Sequence, residues 1–177
     1  MKKYIVFFAF FAALFAVSCS PYTDEEAGGT AVQDLSGTWT VIAYYSALEA
    51  GGAGDLSNAS KAELDAAEWV PYYNTYQRTY NTAANLSTEM WFEDNFWGDM
   101  YKVDTDCSKL SFSCEDVETE AGINVTARYG QVLKGAATTY SGRQADSIVV
   151  YINYSDDPGF TYKIAGFRYT GYTEDLN

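Results

Sequence analysis

Histidine is absent from all 177 residues. That excludes Ser-His-Asp and Cys-His catalytic arrangements, and it removes the commonest nitrogen ligand for metals. No Gly-x-Ser-x-Gly elbow and no phosphate-cradling glycine loop occurs either. Basic residues are scarce, 11 against 24 acidic, for a net charge of −13. A surface this acidic argues against nucleic acid and against electrostatic adhesion to anionic headgroups. Cysteine occurs three times and proline three times. The uncharged apolar run from Tyr4 to Phe15 is too short for a spanning helix, which needs about 20 residues.

That run has a different meaning. Lys2 and Lys3 precede it, and Ala16-Val17-Ser18-Cys19 closes it with small residues before a cysteine. This is the layout of a cleaved export signal, and its end resembles a bacterial lipobox, although Ala16 stands where leucine is more usual. The resemblance implies cleavage after residue 18 and acylation of Cys19, with the acyl chains supplying membrane affinity at about 0.8 kcal/mol per buried CH₂. The mature chain would keep 9 basic and 24 acidic residues, a net charge of −15, together with 24 of the 30 aromatics. Its size supports one domain with a sizeable core.

With Cys19 assigned to lipid, Cys107 and Cys114 are left in a compartment that permits a disulfide. One extended strand over 107–114 would hold its ends about 23 Å apart, beyond the bridging range of about 7 Å. A bridge therefore requires a bend, and the other reading is two partly buried thiols.

Residues 19–33 are small, polar and unpatterned, and read as a flexible tether. Asp24, Glu25 and Glu26 sit where surface lipoproteins of Bacteroidetes-type bacteria carry an acidic export signal; a solvated linker explains them equally well. The domain is expected over 34–177. Gly37–Tyr45 reads as its first strand, and residues 50–60 as a loop. A short helix is expected over Lys61–Trp69, capped by Asn58 or Ser60, with Glu63 three residues after Ser60 completing a capping-box pattern. Tyr72–Asn81 is tyrosine-rich and ambiguous. Further strands are expected over Leu86–Phe92, Phe96–Val103, Lys109–Cys114, Ile123–Tyr129, Gln131–Ala136, Ser147–Tyr154 and Phe160–Tyr169. Tyr129-Gly130 and Ser141-Gly142 read as tight turns, and Asp157-Pro158-Gly159 as a type II turn. Ser147–Tyr154 places Ile148, Val150, Ile152 and Tyr154 on one face. Its other face, with Val149 and Tyr151, is half apolar, as for a strand between a cavity and packed matter. The pattern is all-β: an antiparallel up-and-down barrel of about eight strands with one short helical insert.

Gly37-Thr38-Trp39 is similar to the G-x-W signature of the lipocalin and wider calycin group. There, glycine admits the chain to the barrel floor and tryptophan plugs it. Arg168 is similar to the arginine that stacks over that tryptophan, so Trp39 and Arg168 are expected to close the base. The segments Asp146–Ile152, Asp156–Gly159 and Ile164–Asp175, with Phe96–Val103, resemble a family of Bacteroides-type lipoproteins described as lipid-binding putative hydrolases. The resemblance runs from Leu35 to Asp175 and leaves out Glu49–Asn81. It implies a lipocalin-like barrel and an apolar or amphipathic ligand.

No residue is assigned a catalytic role, and no cofactor is expected. Two carboxylates could in principle serve a glycosidase-like hydrolysis, and Asp94, Asp99, Asp104, Asp106 or Asp156-Asp157 could hold calcium. No D-x-D-x-D-G loop supports the latter, and solvated turn carboxylates are the default. Strand aromatics carry more: Trp91, Trp97, Tyr101, Tyr151 and Tyr162 are the candidate ligand-binding residues, beside an ordinary core role. Parity puts Trp91 with Glu89, and Trp97 with Asp99 and Tyr101. An exposed set would suit a glycan instead. The expectation is thus an outer-membrane lipoprotein, anchored through Cys19, that binds a small lipid-like molecule.

Overall fold

The computed structural model describes residues 28–48 and 51–175. The signal, Cys19 and the acidic triplet lie outside them. Eight antiparallel strands close into one barrel in sequence order: β1 Gly37–Tyr45, β2 Val70–Asn81, β3 Glu89–Asp94, β4 Asp99–Asp106, β5 Ser111–Glu118, β6 Asn124–Thr138, β7 Gln144–Tyr154 and β8 Tyr162–Arg168. The seam pairs β1 with β8 from Trp39↔Arg168 to Tyr45↔Tyr162.

Eight strands were expected, but two of them arise differently. The ambiguous tyrosine segment is β2, and the two strands read over 123–136 are one, β6. Tyr129-Gly130 is no turn. Tyr129 takes φ +53°, and the β6–β7 register shifts between Arg128 and Gln131, so the pair forms a bulge inside a continuing strand. Gly130 is needed there because a Cβ would run into the Phe112 ring. Ser141-Gly142 and Asp157-Pro158-Gly159 do turn, with Gly142 at φ +80° and Gly159 at φ +90°.

The insert between β1 and β2 carries one helix, α1, Lys61–Ala66. Its capping box is present: Ser60 N donates to Glu63 Oε2 at 2.7 Å and Glu63 N donates to Ser60 Oγ at 3.4 Å. The helix stops three residues short of the expected Trp69. Ala67 is extended, and the Trp69 indole donates to the Leu64 carbonyl at 2.9 Å, which replaces the missing turn of helix.

Inside the barrel, side chains fill the space. Trp39, Ala43, Met90, Val125, Val150, Ile152 and Ile164 are all 0% exposed, whereas residues around a void would touch a water-sized sphere. An eight-stranded barrel is just wide enough for its own side chains to close it. The cavity expected on one face of β7 is therefore replaced by packing; the other face is covered because Tyr151 lies under the insert, its hydroxyl 2.8 Å from Asp65 Oδ1. At the base, the expected tether reaches only part of its predicted length, since Val32 and Leu35 already belong to the core.

Cys107 and Cys114 are both free. The Cys107 thiol points to the Ala31 and Ser87 carbonyls, and the Cys114 thiol to Val125 O. The chain does bend at residues 107–110, but Cys114 then lies in β5, inside the core. Burial pushes its thiol up to about 11. Denaturation without reductant followed by alkylation and peptide mapping is expected to label both residues, whereas native protein leaves Cys114 unlabelled. An oxidised 107–114 peptide pair would contradict this structure.

Candidate functional site

Three regions bear on function: the base, the mouth and a groove on the outer wall. At the base, Trp39 and Arg168 meet. The guanidinium carbon lies 4.4 Å from the indole centroid, with Nε 3.2 Å from Asp146 Oδ2. Its other nitrogens donate to the Ser36 carbonyl and, at 3.1 Å, to the Asp34 carbonyl. The Trp39 indole donates to Thr79 Oγ1 at 2.9 Å, which donates onward to Leu35 O at 2.6 Å. Gly37 permits this: a Cβ there would stand 2.5 Å from Arg168 Nη1. One guanidinium thus covers the tryptophan and ties down the N-terminal turn. Arg168→Lys keeps the charge but loses the planar stack and the fork. It is expected to reduce stability by about 1–2 kcal/mol, read as a lower melting temperature.

The opposite end is formed by the insert and the β3–β4, β5–β6 and β7–β8 turns. Here Trp97 stacks on Tyr154, centroids 4.2 Å apart and planes within 7°. Tyr162 lies 5.4 Å from Trp97 and 5.2 Å from Phe96. Phe96 meets Tyr72 edge-on at 5.9 Å and Tyr73 at 6.4 Å. Tyr72 and Tyr73 are 60% and 57% exposed, so the rings run without a break from the core out to solvent. Among the described residues, β2 pairs above Gln77 with β1 alone, which leaves this tyrosine ledge at a strand edge with no partner among them.

Under the plug lies Asp94, 0% exposed. Its Oδ1 accepts from Gln77 Nε2 at 2.9 Å and from the amides of Phe96 at 3.1 Å and Trp97 at 3.3 Å. Its Oδ2 accepts from the Tyr154 hydroxyl and, at 3.5 Å, from Tyr101. Burial raises its pKa, while the Tyr154, Gln77 and amide hydrogen bonds pull the other way. With five donors around it, the carboxylate has its lone pairs occupied and serves to hold the 95–98 turn, a poor position for a general base. Read in the sequence as a solvated turn carboxylate, Asp94 is instead the most buried acid of this end. Phe92 and Phe96, two positions away on either side, carried the signal. Asp156 and Asp157 also serve the plug: the Trp97 indole donates to Asp156 Oδ2 at 3.3 Å, and the Tyr162 hydroxyl donates to Asp157.

Of the five candidate ligand residues, Trp97 and Tyr162 come together at the mouth. Tyr101 is core, stacked on Phe92 at 5.5 Å. Trp91 is on the outer wall, with Lys102 Nζ 5.4 Å from its ring. Tyr151 is also outside the barrel, against Trp69 of the insert at 5.6 Å. Period-2 parity put Trp91 beside Glu89 on one face of β3, but Trp97 lies in the 95–98 turn ahead of β4, where strand parity with Asp99 and Tyr101 does not apply, and parity has no sign for inside and outside.

On the outer wall, insert residues 57–60 and Glu63 face residues 104–106, 111–116, 126–130 and Asn153 across a groove of about 1310 Å³. Sequence reading did not find it, because its two walls are some forty residues and more apart in the chain. Among the described residues, no group of three His, Cys, Asp or Glu side chains is placed to hold a metal ion.

No curated protein matches the chain. A family model described as lipid-binding putative hydrolase matches residues 24–173, the whole barrel included, and the chain belongs to that family.

Proposed function

We propose that this protein is an outer-membrane lipoprotein, held by acyl chains on Cys19, that binds one small apolar or amphipathic molecule at the aromatic mouth of its barrel. Membership of a lipid-binding family supports the ligand class. The observation that carries the place is the continuous ring surface from Trp97, Tyr154 and Tyr162 through Phe96 to exposed Tyr72 and Tyr73. Because the interior is filled, the ligand lies against the mouth rather than in a hollow. An alkyl chain across the rings removes apolar surface at about 25 cal/mol per Å², and the tyrosine hydroxyls face its polar end. Binding is the role proposed, since a chain without histidine has no triad and the buried acid beneath the mouth is fully bonded.

Mass spectrometry of the purified protein after incubation with a bacterial lipid extract tests the reading. A retained lipid, lost on Tyr72→Ala/Tyr73→Ala with the fold intact, is the expected result; a protein that retains none and whose melting temperature no lipid shifts sinks it. The anchor has its own test. Cys19→Ser is expected to abolish incorporation of labelled palmitate and to release the protein from the membrane fraction.

A further inference from the structure

The outer-wall groove is chemically unlike the mouth. Five carboxylates line it, those of Glu63, Asp104, Asp106, Glu115 and Asp116, against the single guanidinium of Arg128. The core residues behind it contribute little surface: Phe112 is 3% exposed, Cys114 6% and Ala127 1%. An apolar occupant would strip water from the carboxylates without replacing their hydrogen bonds, at a cost of several kcal/mol. An anion would meet a surplus of like charge.

The groove is also built. Arg128 reaches across it to hold the far wall, Nη1 to the Ala59 carbonyl at 3.1 Å and Nη2 to the Leu56 carbonyl at 2.8 Å. Asn153 Oδ1 accepts from the same Nη2 at 3.2 Å. Asn153 is itself fixed by its amide to Phe160 O and Thr161 Oγ1, each 2.9 Å. The wall helix is capped by Ser60 and Glu63. Polar capacity is left over in this frame. The side-chain carboxylates of Asp104 and Glu115, which line the groove, have no hydrogen-bond or ion-pair partner among the described residues. The bulge at φ +53° presents the Tyr129 ring, 40% exposed, at the rim.

We propose that this groove is a carbohydrate site, for a neutral or amino-sugar oligosaccharide. Sugar hydroxyls donate to Asp104 and Glu115, and the apolar face of a sugar ring lies on Tyr129. An amino group adds an ion pair with the same carboxylates. At about 1310 Å³ the space exceeds the range of about 300–1,000 Å³ that holds one drug-sized molecule, so it accommodates more than one ring. The site is separate from the mouth and does not rest on the lipid reading.

Titration calorimetry of the full chain with neutral, amino-sugar and uronate oligosaccharides, and with inorganic phosphate, tests it. Neutral or amino sugars are expected to bind, and uronates and phosphate are not. Two variants place the ligand: Glu115→Gln removes an acceptor charge, and Tyr129→Asn removes the ring while tolerating the left-handed backbone. Each is expected to weaken binding about tenfold or more with the melting temperature unchanged, whereas Tyr72→Ala at the mouth leaves sugar binding intact. Failure of every neutral and amino sugar at millimolar concentration overturns the proposal. So does binding of uronates or phosphate alone, or sugar binding that neither groove variant changes.

Discussion

Gly166→Ala is expected to cost about 3 kcal/mol or more, enough to lower the urea midpoint and the melting temperature markedly. Gly166 lies opposite Val41 on the seam where β1 meets β8. A methyl group there would overlap the Thr40 carbonyl oxygen and stand 2.6 Å from Val41 Cα. Both are backbone atoms, so no rotamer change relieves the overlap. Relief requires parting β1 from β8, and this seam closes the barrel, so its loss exposes two strand edges. A folded domain has only about 5–15 kcal/mol in hand. Urea unfolding of the variant beside Gly28→Ala, where nothing lies within 4 Å of the added methyl, isolates the steric effect. A variant within 1 kcal/mol of the parent would show that the seam gives way more easily than this geometry allows.

Asp94→Ala is expected to cost about 3–5 kcal/mol, through a different mechanism. Removing the carboxyl strands the Gln77 amide, the Tyr154 hydroxyl and the Phe96 and Trp97 amides where water does not reach, and each such donor costs about 1–3 kcal/mol. The plug turn then loses its anchor, so Trp97 fluorescence shifts to the red as its stack on Tyr154 loosens. Asp94→Asn keeps an acceptor and most of the volume and is expected to lose less. The pair also gives a pH signature. Burial sets the folded pKa of Asp94 above the unfolded carboxylate value. Its contribution is therefore complete below about pH 3.9 and is lost as pH rises through the folded value. Urea midpoints across that range should fall with rising pH more steeply in the parent than in Asp94→Asn, which does not titrate. Equal slopes would show that Asp94 does not titrate in that range.

Both positions explain how the site could be only half read from the chain. Trp39, Arg168 and the capping box at Ser60 were legible, because short-range motifs and end-of-strand positions carry their own geometry. The alternation in 147–154 grouped Ile148, Val150, Ile152 and Tyr154 on one face, and the structure made that face the inward one of β7. The strand signal over 123–136 was also real, but Tyr129-Gly130 looked like a turn, since a bulge and a turn use the same left-handed residues. Gly166, Asp94 and the groove depend on what lies opposite, 17 residues away for Gln77 at Asp94 and at the other end of the barrel sheet for Val41 at Gly166, and no local pattern encodes that.

The sequence by itself determined an acidic, histidine-free, all-β chain with antiparallel strands, because composition and period-2 patterning act residue by residue. Only the tertiary structure decided that the barrel is filled. It also showed that Trp97 and Tyr162 meet while Trp91 and Tyr151 turn outward, and that an insert and four strands enclose a polar groove. Closure is the reason: strand tilt and register fix which residues face one another, and those are properties of the closed sheet rather than of any one strand.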